Sequence, residues 1–212
     1  MRTVVIASFA LLASVSGAQT VRFQVFQNDK PVGWATVSRI LRADRGKQVV
    51  TTLQLGTRRV RTTSFYAADG ATLSRQIEML GPSDRVVGLS ILRFGKDQVE
   101  IVKDDSGVRT ARTVPTAQNV ADDSENWFWK EKPKAGEKTL SQVFDPSTAT
   151  WQIRTTEYVG PRDGGHLIIQ TTDNQVVETI LDDQGLPLRI STSSNMRMVR
   201  LIPKFDPGKN AA

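Results

Sequence analysis

The stretch QVEIVKDDSG, residues 98–107, contains the two signals that decide the fold. In its first half Val99 and Ile101 alternate with Gln98 and Glu100, which is the period of two of a β-strand. Its last four residues, Asp-Asp-Ser-Gly, supply the side-chain acceptors and the positive φ angle that a tight turn requires. A half-apolar strand followed directly by such a turn is typical of an antiparallel hairpin.

The same unit recurs along the whole chain. Turn-forming runs follow one another roughly every 10–15 residues, a spacing that favours hairpins over helix–strand alternation. We therefore predict an all-β fold, a curved antiparallel meander that forms a half-barrel. The turns are NDKP at 28–31, ADRGK at 43–47, AADG at 67–70, GPSD at 81–84, FGKD at 94–97, DDSG at 104–107, PRDGG at 161–165 and DDQG at 182–185.

Residues 113–133 lack the alternation, and we predict that they form a connector. Within it, the pattern is compatible with a short helix near Val120–Phe128, with Asp122 and Asp123 in the first turn, where carboxylates are favoured. The connector separates two arms of one predicted domain. The predicted boundaries are 1–18 for a signal peptide, 19–203 for the β domain (N-terminal arm 20–112, connector 113–133, C-terminal arm 134–203) and 204–212 for a flexible tail.

The N-terminal residues have the order of a secretory signal peptide. Arg2 provides a short positive region, an apolar run spans 4–15, and the small residues Ser16 and Ala18 precede the cleavage point. We expect cleavage between Ala18 and Gln19 and an exported protein, periplasmic or extracellular. Neither this run nor any later one approaches the roughly 20 apolar residues of a membrane-spanning helix, so we expect no transmembrane segment.

The chain has no cysteine and a single histidine, His166. The lack of cysteine excludes disulfides, thiolate metal sites and cysteine nucleophiles. A hydrolase or a metal site would have to use His166 with carboxylates, and the aspartate pairs at 104–105 and 182–183 stand in turns where Asp has a structural role. No G-x-S-x-G elbow, P-loop or dinucleotide motif is present. We therefore expect no enzymatic activity, no cofactor and no metal site.

The formal net charge is +6, with basic clusters GTRRVR at 56–61 and RMVR at 197–200. A basic patch is one mark of a nucleic-acid-binding protein, but here the charges are spread along strands and the chain carries an export signal. We therefore predict no nucleic-acid partner. The simpler interpretation of the basic clusters is a sheet face exposed to solvent, and the alternative is weak contact with an anionic envelope surface.

The C-terminal arm carries a family resemblance. Residues 133–160 open with Pro133 and Gly136 and pass through a Phe-Asp-Pro turn at 144–146, and a hairpin at 182–190 closes the pattern. This arrangement resembles an uncharacterised bacterial exported β domain of the kind found ahead of transglutaminase-like modules, itself similar in architecture to the half-barrels of lipoprotein carriers. The resemblance implies a curved antiparallel sheet with an apolar concave face, and it supplies no catalytic residue.

Three consecutive aromatic residues, Trp127, Phe128 and Trp129, stand in a chain that is only 7% aromatic. On a strand the two tryptophans would share a face and anchor a ligand or partner; buried, they would join the two arms. We predict a concave face lined by Trp34, Trp127, Trp129 and Trp151 that holds an apolar ligand, such as an acyl chain, or a segment of an envelope protein. The alternative is a structural or interaction protein of the cell envelope with a filled core and no ligand.

Overall fold

The computed structural model describes residues 19–117, 124–173 and 175–201, except for the side chains at 124–126 and 129. The predicted signal peptide and tail lie outside these ranges. Within them the chain forms fourteen strands, one α-helix and one short 3-10 turn, Pro82–Asp84. The elements are β1 Gln19–Gln27, β2 Lys30–Leu41, β3 Lys47–Leu55, β4 Arg58–Tyr66, β5 Thr72–Leu80, β6 Val86–Phe94, β7 Gln98–Asp105, β8 Val108–Pro115, α1 Ser124–Glu131, β9 Lys138–Asp145, β10 Thr150–Arg162, β11 Gly165–Thr172, β12 Gln175–Leu181, β13 Pro187–Thr192 and β14 Met196–Arg200.

All fourteen strands belong to one sheet, and every neighbouring pair that the register defines is antiparallel. Strands β1 and β14 pair in the middle of the sheet. From β1 the strands follow in chain order to the edge strand β8, and from β14 they follow in reverse order to the edge strand β9. The prediction of an all-β, curved antiparallel meander is confirmed. The helix α1 lies in the segment that the sequence predicted as a connector. No helix in the described ranges has the length and apolar character needed to cross a membrane.

The hairpin turns use the Asp–Gly chemistry that the sequence predicts. Asp69 accepts a hydrogen bond from the backbone N–H of Ala71, and Asp104 accepts one from Gly107. Gly70 and Gly107 have φ angles of 87° and 90°. Glycine adopts this left-handed region without the steric cost that a Cβ atom brings, so these positions fix where the strands reverse.

The inner face of the sheet can be followed from the register, because directly opposed residues of paired strands lie on the same face. Phe23 on β1 opposes Ala35 on β2, and Ala35 opposes Leu53 on β3. Phe23 is completely buried and Ala35 is nearly so. Phe23 belongs to a central cluster that packs in the middle of the sheet, composed of Val21, Phe23, Val25, Ala35 and Leu186.

The two ends of the sheet overlap through side chains. On β9 and β10, Phe144 opposes Trp151, and by alternation both point away from the face that carries the buried Thr156. Nevertheless, Phe144 packs against Leu92 and Val99, which lie on the inner face of β6 and β7. The outer face of β9–β10 therefore lies against the inner face of β6–β7.

We call this contact the seam, and its core is aromatic. The ring centroids of Phe144 and Trp151 are 5.1 Å apart, and each lies 6.2 Å from the ring of Phe94. Trp151 also donates a hydrogen bond of 2.9 Å from Nε1 to the carbonyl oxygen of Pro115, at the end of β8. Because β8 and β9 are the edges of the sheet, the seam joins its two ends without a strand ladder between them.

An ion pair on the outer face predicts a pH dependence of stability. Glu78 on β5 is 7% exposed and accepts a 2.5 Å hydrogen bond from Nε of Arg61 on β4. This hydrogen bond, opposed by burial and helped by the charge of Arg61, holds the pKa of Glu78 below its usual range. A lowered folded-state pKa stabilises the protein above the unfolded pKa of about 4.3, and that stabilisation is lost as pH falls through the folded value.

We expect the free energy of unfolding of the Glu78→Gln variant to fall less between pH about 5.5 and 3 than that of the unmodified protein. Urea unfolding at several pH values measures the difference. Glu100, whose side chain is 42% exposed and pairs with Arg93, provides a matched Glu→Gln control with little effect. Equal pH slopes for Glu78→Gln and the unmodified protein would contradict the prediction.

Candidate binding site

A cavity of about 370 Å³ lies between β5 and the C-terminal strands β9–β12. Polar side chains predominate in its lining, and they come from strands that are distant in sequence. The polar members are Arg75, Asp145, Gln152, Arg154, Gln170, Thr172 and Gln175, and the apolar members are Val143, Phe144, Pro146 and Val177.

Strand alternation explains why this part of the inner face is polar. Tyr158 and Thr156 are buried on the inner face of β10, so Arg154 and Gln152 point the same way. Thr156 opposes Gln170 on β11. The resemblance to lipoprotein-carrier half-barrels implied an apolar concave face; the inner face is apolar around Phe23 and polar at this cavity. Because side chains alternate along β10, Gln152 and Arg154 point inward on the same face as the buried Tyr158.

Arg75 faces the cavity from the opposite side, on β5. It is the cross-strand partner of Ser64, and its Nε donates a 3.3 Å hydrogen bond to the hydroxyl oxygen of that residue. Ser64 is 5% exposed. The buried hydroxyl of Ser64, on the neighbouring strand β4, therefore helps to fix the guanidinium group of Arg75.

Among the described residues that line this cavity, Asp145 is the one acidic side chain. One carboxylate oxygen accepts hydrogen bonds from the hydroxyl and the backbone N–H of Ser147, and the other accepts one from the side-chain amide of Gln152. The hydrogen bond from the Ser147 hydroxyl, although opposed by burial, holds the pKa of Asp145 below its usual range. Asp145 is therefore ionised at neutral pH, and it caps the β9–β10 turn.

The tryptophans that the sequence analysis selected do not line one surface. Trp34 on β2 opposes Gln54, so it lies on the face opposite to the central cluster, where 36% of it is exposed. Trp151 lies in the seam, and Trp127 packs beside Phe128 on α1. The side chain of Trp129 is outside the described part of the chain. The prediction rested on the resemblance and on strand alternation, and neither determines which face of each strand is inside.

The segment around Phe128 covers one end of the inner face. Phe128 is 6% exposed, and its ring centroid lies 4.9 Å from Tyr158 and 5.1 Å from His166. It also packs with Ile168 and Leu181, which completes a cluster of residues from α1, β10, β11 and β12. The segment is helical, so the period of two that predicted a shared face on a strand does not apply to it. Phe128, between the two tryptophans, makes the buried contact.

His166 has partners that the sequence did not predict. Its Nδ1 lies 3.1 Å from the hydroxyl of Tyr158, and its Nε2 lies 3.5 Å from a carboxylate oxygen of the exposed Asp183. These contacts connect β10, β11 and the β12–β13 turn. In the described ranges, no three His, Asp or Glu side chains come together as a group that could hold a metal ion.

Several arginines of the two basic clusters contact carboxylates. These contacts reduce the charge that each cluster presents to a partner, because a paired guanidinium is partly neutralised. The pairs are Arg59 with Asp84, Arg61 with Glu78, Arg197 with Asp29 and Arg200 with Asp182.

Comparisons with known proteins establish the fold and nothing finer. No protein-family model matches the chain, and no curated protein does so either. The crystal structure of a β-barrel-like protein from Brucella abortus, described as a domain of unknown function, DUF1849, is similar with a TM-score of 0.54. The alignment covers 87% of this chain and 95% of that one at 12% sequence identity. At this identity the likeness shows a β-barrel-like fold, while the link to transglutaminase-like modules stays a prediction.

Proposed function

We propose that the protein is an exported, non-enzymatic binding module whose ligand site is the cavity between β5 and β9–β12. One observation carries this proposal: guanidinium, amide, hydroxyl and carboxylate groups from five strands converge on one space of about 370 Å³. A volume of this size, with a few convergent polar groups, is typical of sites for small molecules. Export is proposed from the N-terminal residues 1–18.

The lining favours a polar ligand over the acyl chain that the sequence analysis predicted. An acyl chain that filled the cavity would separate the side chains of Gln170 and Gln175 from water without giving them hydrogen bonds. Each polar group left in that state costs about 1–3 kcal/mol. A ligand with its own donors and acceptors avoids this cost.

Ligand-detected NMR with glucose, glutamine and citrate as probes tests the proposal. We expect saturation transfer to at least one probe from the unmodified protein and none from Val177→Trp, which fills the cavity from β12. The neighbouring Val176 provides a matched Val→Trp control, because it points to the other face and is 36% exposed. Binding of no probe, or equal binding by Val177→Trp, would count against a ligand site in this cavity.

The alternative is an interaction protein of the cell envelope with a filled core. The complete burial of Phe23 and the packing of Phe128 favour it, since both fill parts of the inner face. It predicts that none of the three probes binds. Its partners would then contact the outer surface, including the basic side chains that face solvent.

A further inference from the structure

We infer that the edge strand β8 binds an extended acidic segment of a partner protein, which joins the sheet as a further antiparallel or parallel strand. The segment would carry two carboxylates with the same spacing as Arg109 and Arg112. This surface is separate from the cavity, so the inference does not depend on the ligand proposed there.

The edge formed by β8 is long, regular and exposed. Among the described strands, β8 pairs with β7 alone, and it ends the sheet. Its register with β7 runs from Val108 to Pro115 without a bulge, and residues 108–113 are all exposed. Natural sheets usually shorten, bend or cover such an edge, because its free backbone groups can pair with another chain. In the described part of the chain, β8 has none of these protections, and its one proline is its last residue.

The turn before β8 sets the direction of its backbone groups. Ser106 and Gly107 have φ angles of 54° and 90°, and they form a two-residue turn between Asp105 and Val108. In a turn of this kind the N–H of the residue after the turn donates to the carbonyl oxygen of the residue before it. The backbone N–H and C=O of Val108 therefore point toward β7.

Backbone groups alternate in direction along an antiparallel strand, so the next residue and every second one after it point away from β7. These residues are Arg109, Ala111 and Thr113. Pro115 continues the alternation, and its carbonyl oxygen accepts the hydrogen bond from Trp151, outside the β7–β8 ladder. The N–H and C=O groups of Arg109, Ala111 and Thr113 form an open row with the spacing that an added strand needs.

The charge of β8 indicates what kind of segment would pair with it. Its two charged residues are Arg109 and Arg112. Among the described residues neither guanidinium group forms an ion pair or a hydrogen bond, unlike the arginines of the basic clusters. Asp104 opposes Arg109 on β7, but one of its carboxylate oxygens accepts a hydrogen bond from the N–H of Gly107. Both guanidinium groups can therefore pair with carboxylates of another chain.

The two arginines lie on opposite faces of the sheet. Arg112 opposes the buried Ile101 and shares its inner face, whereas Arg109 lies on the outer face. Lys103 on β7 shares the face of Ile101 and adds positive charge near Arg112. A strand paired with β8 would place one acidic side chain beside each arginine, and opposite charges in directly opposed positions stabilise strand pairs.

The same charges disfavour a second copy of this chain as the partner. Antiparallel pairing of β8 with β8 of another copy would bring four arginines into one interface. Like charges on neighbouring strands are destabilising. An acidic segment matches both the open row and the charge, so we assign the edge to such a segment.

Fluorescence anisotropy with a fluorescein-labelled peptide, Thr-Val-Glu-Val-Thr-Glu-Val-Thr, tests the inference. We expect binding that weakens as sodium chloride is added, and no binding of the peptide in which lysine replaces both glutamates. Arg109→Gln and Arg112→Gln should each lower the affinity about two- to fivefold, the range of one cross-strand charge pair. Arg58→Gln, at an exposed position on β4, makes the same change in net charge and should leave the affinity unaltered.

Backbone pairing is tested separately from charge. NMR-detected amide exchange should slow at Ala111 and Thr113 when the glutamate peptide is added, and should not change at Thr110 and Arg112, which already pair with β7. Ala111→Pro removes one outward N–H without changing the charge and should lower the affinity about fivefold or more. Proline is tolerated on an edge strand where the N–H faces solvent, and thermal unfolding shows whether the variant is folded. If it is not, the exchange measurement decides alone.

The inference is overturned if the glutamate peptide does not bind, if the lysine peptide binds equally well, or if binding leaves the exchange at Ala111 and Thr113 unchanged. Sedimentation of the unmodified protein covers the remaining case. A dimer that Ala111→Pro dissociates would assign the edge to a second copy and would also overturn the inference. None of these outcomes bears on the cavity, which is tested by Val177→Trp.

Discussion

Truncation of Phe144 to alanine is expected to lower the free energy of unfolding by about 3–5 kcal/mol, the usual cost of deleting a buried phenylalanine side chain. Phe144 is 5% exposed, and its ring makes edge contacts with Phe94 and Trp151. Aromatic pairs of this kind add about 0.5–1.5 kcal/mol to the effect of burial. The loss should be at the upper end of the range, because truncation removes two aromatic contacts together with the buried ring.

Urea unfolding followed by tryptophan fluorescence measures this loss. The control is Ile153→Ala, on the same outer face of β10 but 59% exposed, for which we expect less than about 0.5 kcal/mol. If the two variants differ by less than about 1 kcal/mol, the outer face of β9–β10 is not packed against β6–β7, and the overlap of the two ends is refuted. The comparison is sharp because both side chains point to one face of the same pair of strands.

Local patterns were sufficient to predict the strands and their turns. The stretch 98–107 forms β7 and the turn after it, and the side chains that its alternation groups together, Val99 and Ile101, are both buried. A strand period and an Asp–Gly turn are set by the φ and ψ preferences of a few neighbouring residues, so a sequence reveals them directly. The all-β class and the antiparallel order follow from the same signals.

The site could not be predicted in this way, because alternation separates two faces without saying which is inside. The sheet curvature and the seam decide that question, and both depend on contacts such as that between Leu92 and Phe144, which are distant in sequence. Residue size was a poor guide to the inner face: Trp34 lies outside, whereas Arg154 and Gln152 line the cavity. Arg154 and Gln152 lie four and six positions before Tyr158 on β10, so they share its face once the structure shows that Tyr158 is buried.

Replacement of Asp182 with alanine is expected to lower the free energy of unfolding by about 2–4 kcal/mol, because three hydrogen bonds to one carboxylate are lost together. One oxygen of Asp182 accepts from the backbone N–H groups of Gln184 and Leu186, and the other accepts from Nη1 of Arg200 at 2.5 Å. These bonds close the β12–β13 turn and connect it to β14. Arg200 is also the cross-strand partner of Phe23, so the loss extends to the central cluster.

The pH dependence of this variant provides an independent check. Burial raises the pKa of Asp182, but hydrogen bonds from Leu186, Arg200 and Gln184 outweigh it and hold the pKa below its usual range. The stabilisation is therefore present above the unfolded pKa of about 3.9 and is lost as pH falls through the folded value, so Asp182→Ala should flatten the acid side of the stability curve. Asp183→Ala, at a 90% exposed side chain next to it, should change stability by less than about 0.5 kcal/mol. Equal losses for the two aspartates, measured by urea unfolding at pH 7 and pH 4, would show that the turn is not held by this carboxylate.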